Sequence, residues 1–131
     1  MAKIEKFEDL EVWQLARELC KIVYSLTKKN PFCKDFELVR QIRKSSGSIM
    51  DNIAEGYERD GNKEFIQFLS ISKGSCGEVR SQSYRALDQS YISKEEFEEL
   101  YNKASSISKM LSGFINYLRK SEINGIKYKN R

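Results

Sequence analysis

The chain contains no histidine, a single proline (Pro31) and three cysteines. The lack of histidine removes Ser-His-Asp and Cys-His nucleophile systems and most zinc sites. It also removes the Glu-x-x-His pairs that hold di-iron centres in helical bundles. Cys20, Cys33 and Cys76 are odd in number and show no C-x-x-C spacing, which fits reduced buried thiols in a cytoplasmic protein rather than a disulfide framework. With one proline and only seven glycines there are few chain breakers, so long uninterrupted helices are expected. No apolar run approaches the roughly 20 residues that span a bilayer. The opening MAKIEKFEDLEVW lacks the apolar stretch of a signal peptide. The expectation is a cytoplasmic protein with no membrane partner.

Hydrophobic content of 40% and charged content of 32% suit one folded domain of 131 residues, long enough to bury a core without metal or disulfide staples. The formal charge of +4 resides entirely in residues 119–131, and residues 1–118 sum to zero. Residues 1–120 are read as a bundle that is neutral through residue 118, and 121–131 as a short basic extension. A neutral body weakens any nucleic-acid role argued from bulk charge, although a local stripe still attracts phosphates.

Apolar residues recur at helical spacing in four segments. The first should run from Asp9, as cap, to Lys29, ahead of Asn30-Pro31. Its apolar positions include Leu10, Val12, Trp13, Leu15, Ala16, Leu19, Cys20, Ile22, Val23, Tyr24 and Leu26. That face is wider than one core contact needs and suggests a second partner, inside the bundle or in another subunit. The second helix should start near Lys34 or Asp35 and reach Asp60, with Leu38, Ile42, Ile49, Ile53 and Tyr57 as its stripe. Gly61 suits the left-handed position after it, and Asn62 suits the cap of the third helix, Lys63 to Gln89. Phe65, Leu69, Ser72, Cys76, Val79 and Ala86 mark that helix's inner face, widened by Phe68 and Ile71. Ser93 and Glu96 form a capping box that opens the fourth helix, which should end near Lys120. Its apolar repeat is Phe97, Leu100, Ala104, Ile107, Leu111, Phe114 and Leu118. Four such helices with short connections predict an all-α, antiparallel up-down four-helix bundle.

Helices two and three carry small residues where leucine and valine would be usual: Ser45, Ser46, Gly47 and Ser48, then Gly74, Ser75, Cys76 and Gly77. Glycine inside a helix costs about 1 kcal/mol relative to alanine. The expected compensation is close approach of these helices, so that Gly74→Leu should be severe through overpacking. Buried serines there can bond the carbonyl four residues back.

Three motif-like strings carry little. Gly56–Lys63 has a faint P-loop look, but Asn62 separates Gly61 from Lys63 and no strand precedes it. Gly74-Ser75-Cys76-Gly77 matches the GXXG clamp of KH domains, yet it sits inside a helical pattern. Glu55, Glu64 and Glu78 could serve as ligands in principle and read better as a solvated face. No cofactor or metal is expected.

The remaining polar feature is a set of cations. Arg40, Arg43 and Lys44 cluster on helix two, Arg59 and Lys63 flank the next turn, and Arg80 and Arg85 lie on helix three. They are either paired with neighbouring carboxylates or form a phosphate-contacting stripe that becomes continuous on assembly, extended by Lys127, Tyr128, Lys129 and Arg131.

Several strings stand out along the chain: Phe7-Glu8-Asp9-Leu10 with Val12-Trp13-Gln14, Gln41-Ile42-Arg43-Lys44 with Ser48-Ile49, and Asn52-Ile53-Ala54-Glu55-Gly56 with Arg59. Glu64-Phe65, Phe68-Leu69 and Gly74-Ser75 with Glu78 complete the set. Together they resemble the family of four-helix-bundle proteins encoded in intervening sequences of bacterial 23S ribosomal RNA genes. Asn30-Pro31-Phe32-Cys33 departs from the family's usual Phe-Pro. The resemblance implies a homopentameric ring and kinship with the accessory variability determinant of diversity-generating retroelements, a bundle that binds nucleic acid and a reverse transcriptase. No biochemical activity comes with the family itself. The resulting expectation is a non-enzymatic oligomeric scaffold that binds RNA or an RNA-processing protein through the basic residues named above. The alternative is a protein–protein interaction module with no nucleic-acid role.

Overall fold

The computed structural model describes residues 3–123; Lys127, Lys129 and the rest of the expected basic extension from residue 124 lie outside the described residues. The described residues form α1 (Glu11–Thr27), α2 (Phe36–Glu58), α3 (Asn62–Asp88) and α4 (Lys94–Ile123), with 3-10 turns at Phe7–Asp9 and Phe32–Lys34 and no strand among them. Each helix packs on its sequence neighbours, and α1 closes the ring against α4. The cross-links Gln41–Arg85 and Ser48–Ser75 run in opposite chain senses, as do Lys29–Glu96 and Glu18–Lys103, so neighbouring helices are antiparallel. This is the expected up-down bundle.

The helix ends follow local chemistry, with some corrections. The Asp9 carboxylate accepts from the backbone N–H groups of Glu5 (3.0 Å) and Lys6 (3.2 Å). It therefore closes the preceding 3-10 turn, and Leu10 takes the cap position of α1. Asp35 caps α2 as expected, its Oδ1 accepting from the Leu38 N–H at 3.1 Å, while the Tyr91 hydroxyl donates to Oδ2 at 3.0 Å. The capping box is complete: Ser93 Oγ accepts from the Glu96 N–H at 3.0 Å, and Glu96 Oε1 accepts from the Ser93 N–H at 2.8 Å. At the α2–α3 turn, Gly61 (φ 135°, ψ 160°) occupies the cap position of α3 in a backbone region that disfavours any side chain. Asn62 is therefore the first helical residue rather than the cap. Its side chain is buried, and neither amide atom has a partner.

The periodic apolar residues form one core running through all four helices. Ile71 is an exception: it is 51% exposed and faces outward instead of widening the inner face of α3. On α1, Leu10, Val12, Ala16, Leu19, Val23 and Leu26 are buried, while Trp13, Leu15 and Ile22 are partly buried against the core. The wide apolar face of α1 is thus largely used within the chain, with Tyr24 left exposed.

Close helix approach does occur between α2 and α3, but at a different glycine from the one expected. A Cβ on Gly56 would stand 2.7 Å from Phe68 Cβ and 2.9 Å from Phe65 Cδ1, whereas a Cβ on Gly74 would meet nothing within 4 Å. Gly74 faces outward, so a larger side chain there does not overpack this bundle. The serines behave as their chemistry suggests. Ser45 Oγ donates to the Gln41 carbonyl (2.9 Å), and Ser83 Oγ to the Val79 carbonyl (2.7 Å), each four residues back. Ser72 instead crosses helices, donating to the Ile49 carbonyl at 2.8 Å.

Candidate nucleic-acid interface

The basic residues singled out from the sequence separate into two groups at opposite ends of α2. Arg40 and Arg59 lie nineteen positions apart, a rise of about 28 Å along the helix. Arg85 belongs with the first group because its Nη1 donates to Gln41 Oε1 at 2.7 Å. Lys63 belongs with the second, one residue into α3.

The two groups differ in electrostatics as well as in position. At the turn end, Arg59 Nη2 lies 2.7 Å from Glu55 Oε2, and Nη1 lies 3.7 Å from Glu64 Oε2. The hydrogen bond to Glu55 holds the Arg59 guanidinium charged above its already high range. The charge of Arg59 is answered there, and Glu58 and Asp60 are near it in sequence. At the other end the arginines rest on neutral groups. Arg43 Nε donates to Thr27 Oγ1 at 3.0 Å, and its guanidinium sits 4.4 Å from the centre of the Tyr24 ring. Arg85 bonds the neutral amide of Gln41. Arg40 and Lys44 are exposed and form no ion pair among the described residues. The first half of α2 therefore carries cations that form no ion pair among the described residues, with Asp35 and Glu37 in the same stretch; Arg43, and Arg85 from α3, are held in place by bonds across helices. Arg80 lies apart, with its guanidinium 5.9 Å from the Tyr101 ring on the α3–α4 face.

The Asn-Ile-Ala-Glu-Gly string is mainly structural in this chain. Asn52 Nδ2 donates to the Ser48 carbonyl (2.8 Å) and to Ser48 Oγ (2.9 Å), and Ser75 Oγ donates to Ser48 Oγ at 3.0 Å across to α3. Ile53 is core, Ala54 is partly buried, Glu55 pairs with Arg59, and Gly56 admits the Phe65 ring and the Phe68 Cβ. Gly74 of the same motif set is open to the outside.

Sequence reasoning passed over Phe36, Tyr84 and Tyr101 and took Phe97 only as part of the apolar repeat of the fourth helix. The last three rings form a cluster on the α3–α4 face with centroids 4.7–5.8 Å apart. Phe36 is 70% exposed at the head of the basic stretch of α2. Its signal was present in the spacing, because Phe36, Arg40 and Lys44 recur every four residues on the side of the helix away from Leu38, Ile42 and Ile49.

Burial withdraws two of the three thiols from nucleophilic chemistry. Burial pushes Cys76 up to about 12 and raises Cys20, so neither is a thiolate near neutral pH. No group of three His, Cys, Asp or Glu residues that could hold a metal occurs among the described residues. No helix among them is long and apolar enough to cross a membrane.

By its architecture the chain is a small all-helical protein, a four-helix bundle. Residues 8–113 match the sequence model of the family described as 23S rRNA-intervening sequence protein, and the chain belongs to that family. Among solved structures it is similar to a protein with unknown function from the S23 ribosomal protein family of Bacteroides thetaiotaomicron. The TM-score is 0.73 at 27% identity, over 79% of this chain and 97% of the other. No curated protein matches the chain.

Proposed function

We propose that this protein is a non-enzymatic scaffold of the cytoplasm that assembles with copies of itself, as a pentameric ring, and holds RNA or an RNA–protein complex on the first half of α2. The observation that carries this reading is that Arg40, Arg43, Lys44 and Arg85 form no ion pair among the described residues. Polyanionic backbones bind such surfaces with release of counterions, so affinity falls steeply with salt. Arg59 and Lys63 belong to this reading only if assembly brings the turn end of one subunit beside the basic end of another. Lys127 and Lys129 would assist from the extension. The relation proposed to the accessory variability determinant of diversity-generating retroelements would fit a ribonucleoprotein partner.

A direct test is fluorescence anisotropy of structured RNA with the full chain across a salt series, alongside Arg40→Glu/Lys44→Glu and a chain shortened after Ile123. The expected result is binding that weakens with salt, survives shortening and is lost on charge reversal in a variant that still melts cooperatively. Binding unaffected by the reversal would reassign the contacts. Native mass measurement decides assembly, a monomer at micromolar concentration being the result that removes the ring.

The second reading, a protein–protein interaction module, is favoured by the Tyr84–Phe97–Tyr101 cluster with Arg80 beside it, since aromatic residues and arginine are enriched where proteins meet. Absence of RNA binding at low salt moves the assignment there.

A further inference from the structure

Among the described residues Phe36 is the most exposed of the large apolar side chains, and it stands on a rigid base. Asp35, the residue before it, is tied on both carboxylate oxygens, to the Leu38 N–H and to the Tyr91 hydroxyl. The Tyr91 ring in turn stacks on buried Phe32, with centroids 5.1 Å apart and planes at 22°. The backbone that carries the Phe36 ring is therefore anchored, while the ring itself lies mostly in water. No core contact accounts for its placement.

Helical geometry puts Arg40 one turn beyond Phe36 and Lys44 a second turn beyond, each about 5–6 Å further along the same stripe. Gly47 follows on that stripe, and a Cβ there would meet nothing within 4 Å, so the surface past Lys44 stays low and open. The result is an apolar ring at one end of a pair of exposed cations that form no ion pair among the described residues, with Glu37 beside them.

A duplex offers such a track only half of what it can bind. Its phosphates reach the cations, but its base faces are stacked inward and closed to the ring. A strand with unpaired bases offers both, because every base has a π-face that an aromatic side chain can stack on. Resting on the reading above that RNA is the ligand, we infer that this stripe selects unpaired nucleotides. One base stacks on Phe36, and the adjoining phosphates lie on Arg40 and Lys44.

The test uses the full chain with a labelled short oligoadenylate and a labelled blunt RNA duplex, each titrated by anisotropy over a salt series. Phe36→Ala is expected to weaken oligoadenylate binding about ten-fold or more. It should leave duplex affinity and the slope of log affinity against log salt unchanged, because no charge is removed. Phe36→Trp is expected to retain or strengthen single-strand binding. Arg40→Ala and Lys44→Ala should instead lower that slope for both RNAs. Equal loss on both RNAs, or no loss on either, with Phe36→Ala overturns the stacking role while leaving RNA binding in place. A drop in native mass for Phe36→Ala overturns it too, assigning the ring to a contact between subunits. If the unaltered chain binds neither RNA at low salt, the RNA reading itself falls and this inference falls with it.

Discussion

The two sides of the bundle are held by different physics. Between α2 and α3 the helices touch through small residues and directional bonds: Ser72 on the Ile49 carbonyl, Ser75 on Ser48, and two phenylalanines over Gly56. Between α1 and α4 the surface opens into clefts of about 310 and 380 Å³, near Ile22 and Leu15, and is bridged by the exposed pairs Lys29–Glu96 (3.3 Å) and Lys103–Glu18 (2.9 Å). The first contact depends on shape and on bonds shielded from water. The second shares the common apolar core and is bridged at its surface only by charges that water and salt screen. Polarity alone therefore does not tell a tight helix seam from a loose one. What matters is whether the polar groups are short enough to let the backbones approach.

Substitutions of graded size would break this contrast, starting with Gly56→Leu. The new side chain would collide with Phe65 and Phe68 where a Cβ alone already falls at 2.7–2.9 Å. A loss of about 1–3 kcal/mol or more is expected, read as a lower denaturant midpoint. An unchanged midpoint would show that the rings can move aside. The same substitution at Gly74 should act in the opposite sense. With nothing within 4 Å of the new Cβ, replacing an exposed helix glycine gains roughly 0.5–1 kcal/mol of helix propensity. If Gly74→Leu proved destabilising, and more so at higher protein concentration, that outward face would be covered in the assembled protein.

Ser72→Ala removes one buried cross-helix bond. It should cost about 1 kcal/mol, and no loss would mean that the Ile49 carbonyl is content with its own helical partner. The smallest effect belongs to the α1–α4 side. The N–H of Ser93, reinforced by Lys29, holds the Glu96 carboxyl below its ordinary 4.5. A depressed carboxylate contributes stability that is present above its unfolded-state value and is lost as pH falls through the folded value. Glu96→Gln should therefore lower the melting temperature slightly at pH 7 and flatten its dependence on pH below about pH 4.5, so that the two proteins converge in acid. An acid limb as steep as that of the unaltered protein would place the titration elsewhere.

Much of this was legible in the chain. The Ser93–Glu96 box is read directly because its partners are three residues apart, and the core stripe of α2 is read from spacing alone. Gly56 was legible too, since it continues the Ile49–Ile53 stripe, while Gly74 falls off the Leu69–Ser72–Cys76 stripe; a glycine's place on the wheel, rather than its presence, marks close approach. Asn62 was misleading because two adjacent residues suited one cap, and the steric freedom of Gly61 took the position. The basic track was legible only as a set of residues. Which of its cations keep their charge depends on Tyr24, Thr27 and Gln41, and Gln41 lies 44 residues from the arginine it holds.

By itself the sequence determined the number of helices, their inner faces and the start of α4, because those depend on periodicity and on bonds between residues a turn apart. Tertiary structure decided the rest. It set which glycine receives a neighbouring helix, and it left Phe36 in water while enclosing Phe65. It also placed Arg43 and Arg85 against neutral groups and Arg59 against carboxylates. The physical reason is distance along the chain: close packing and charge compensation are settled between side chains on different helices, where helical spacing carries no information about the partner.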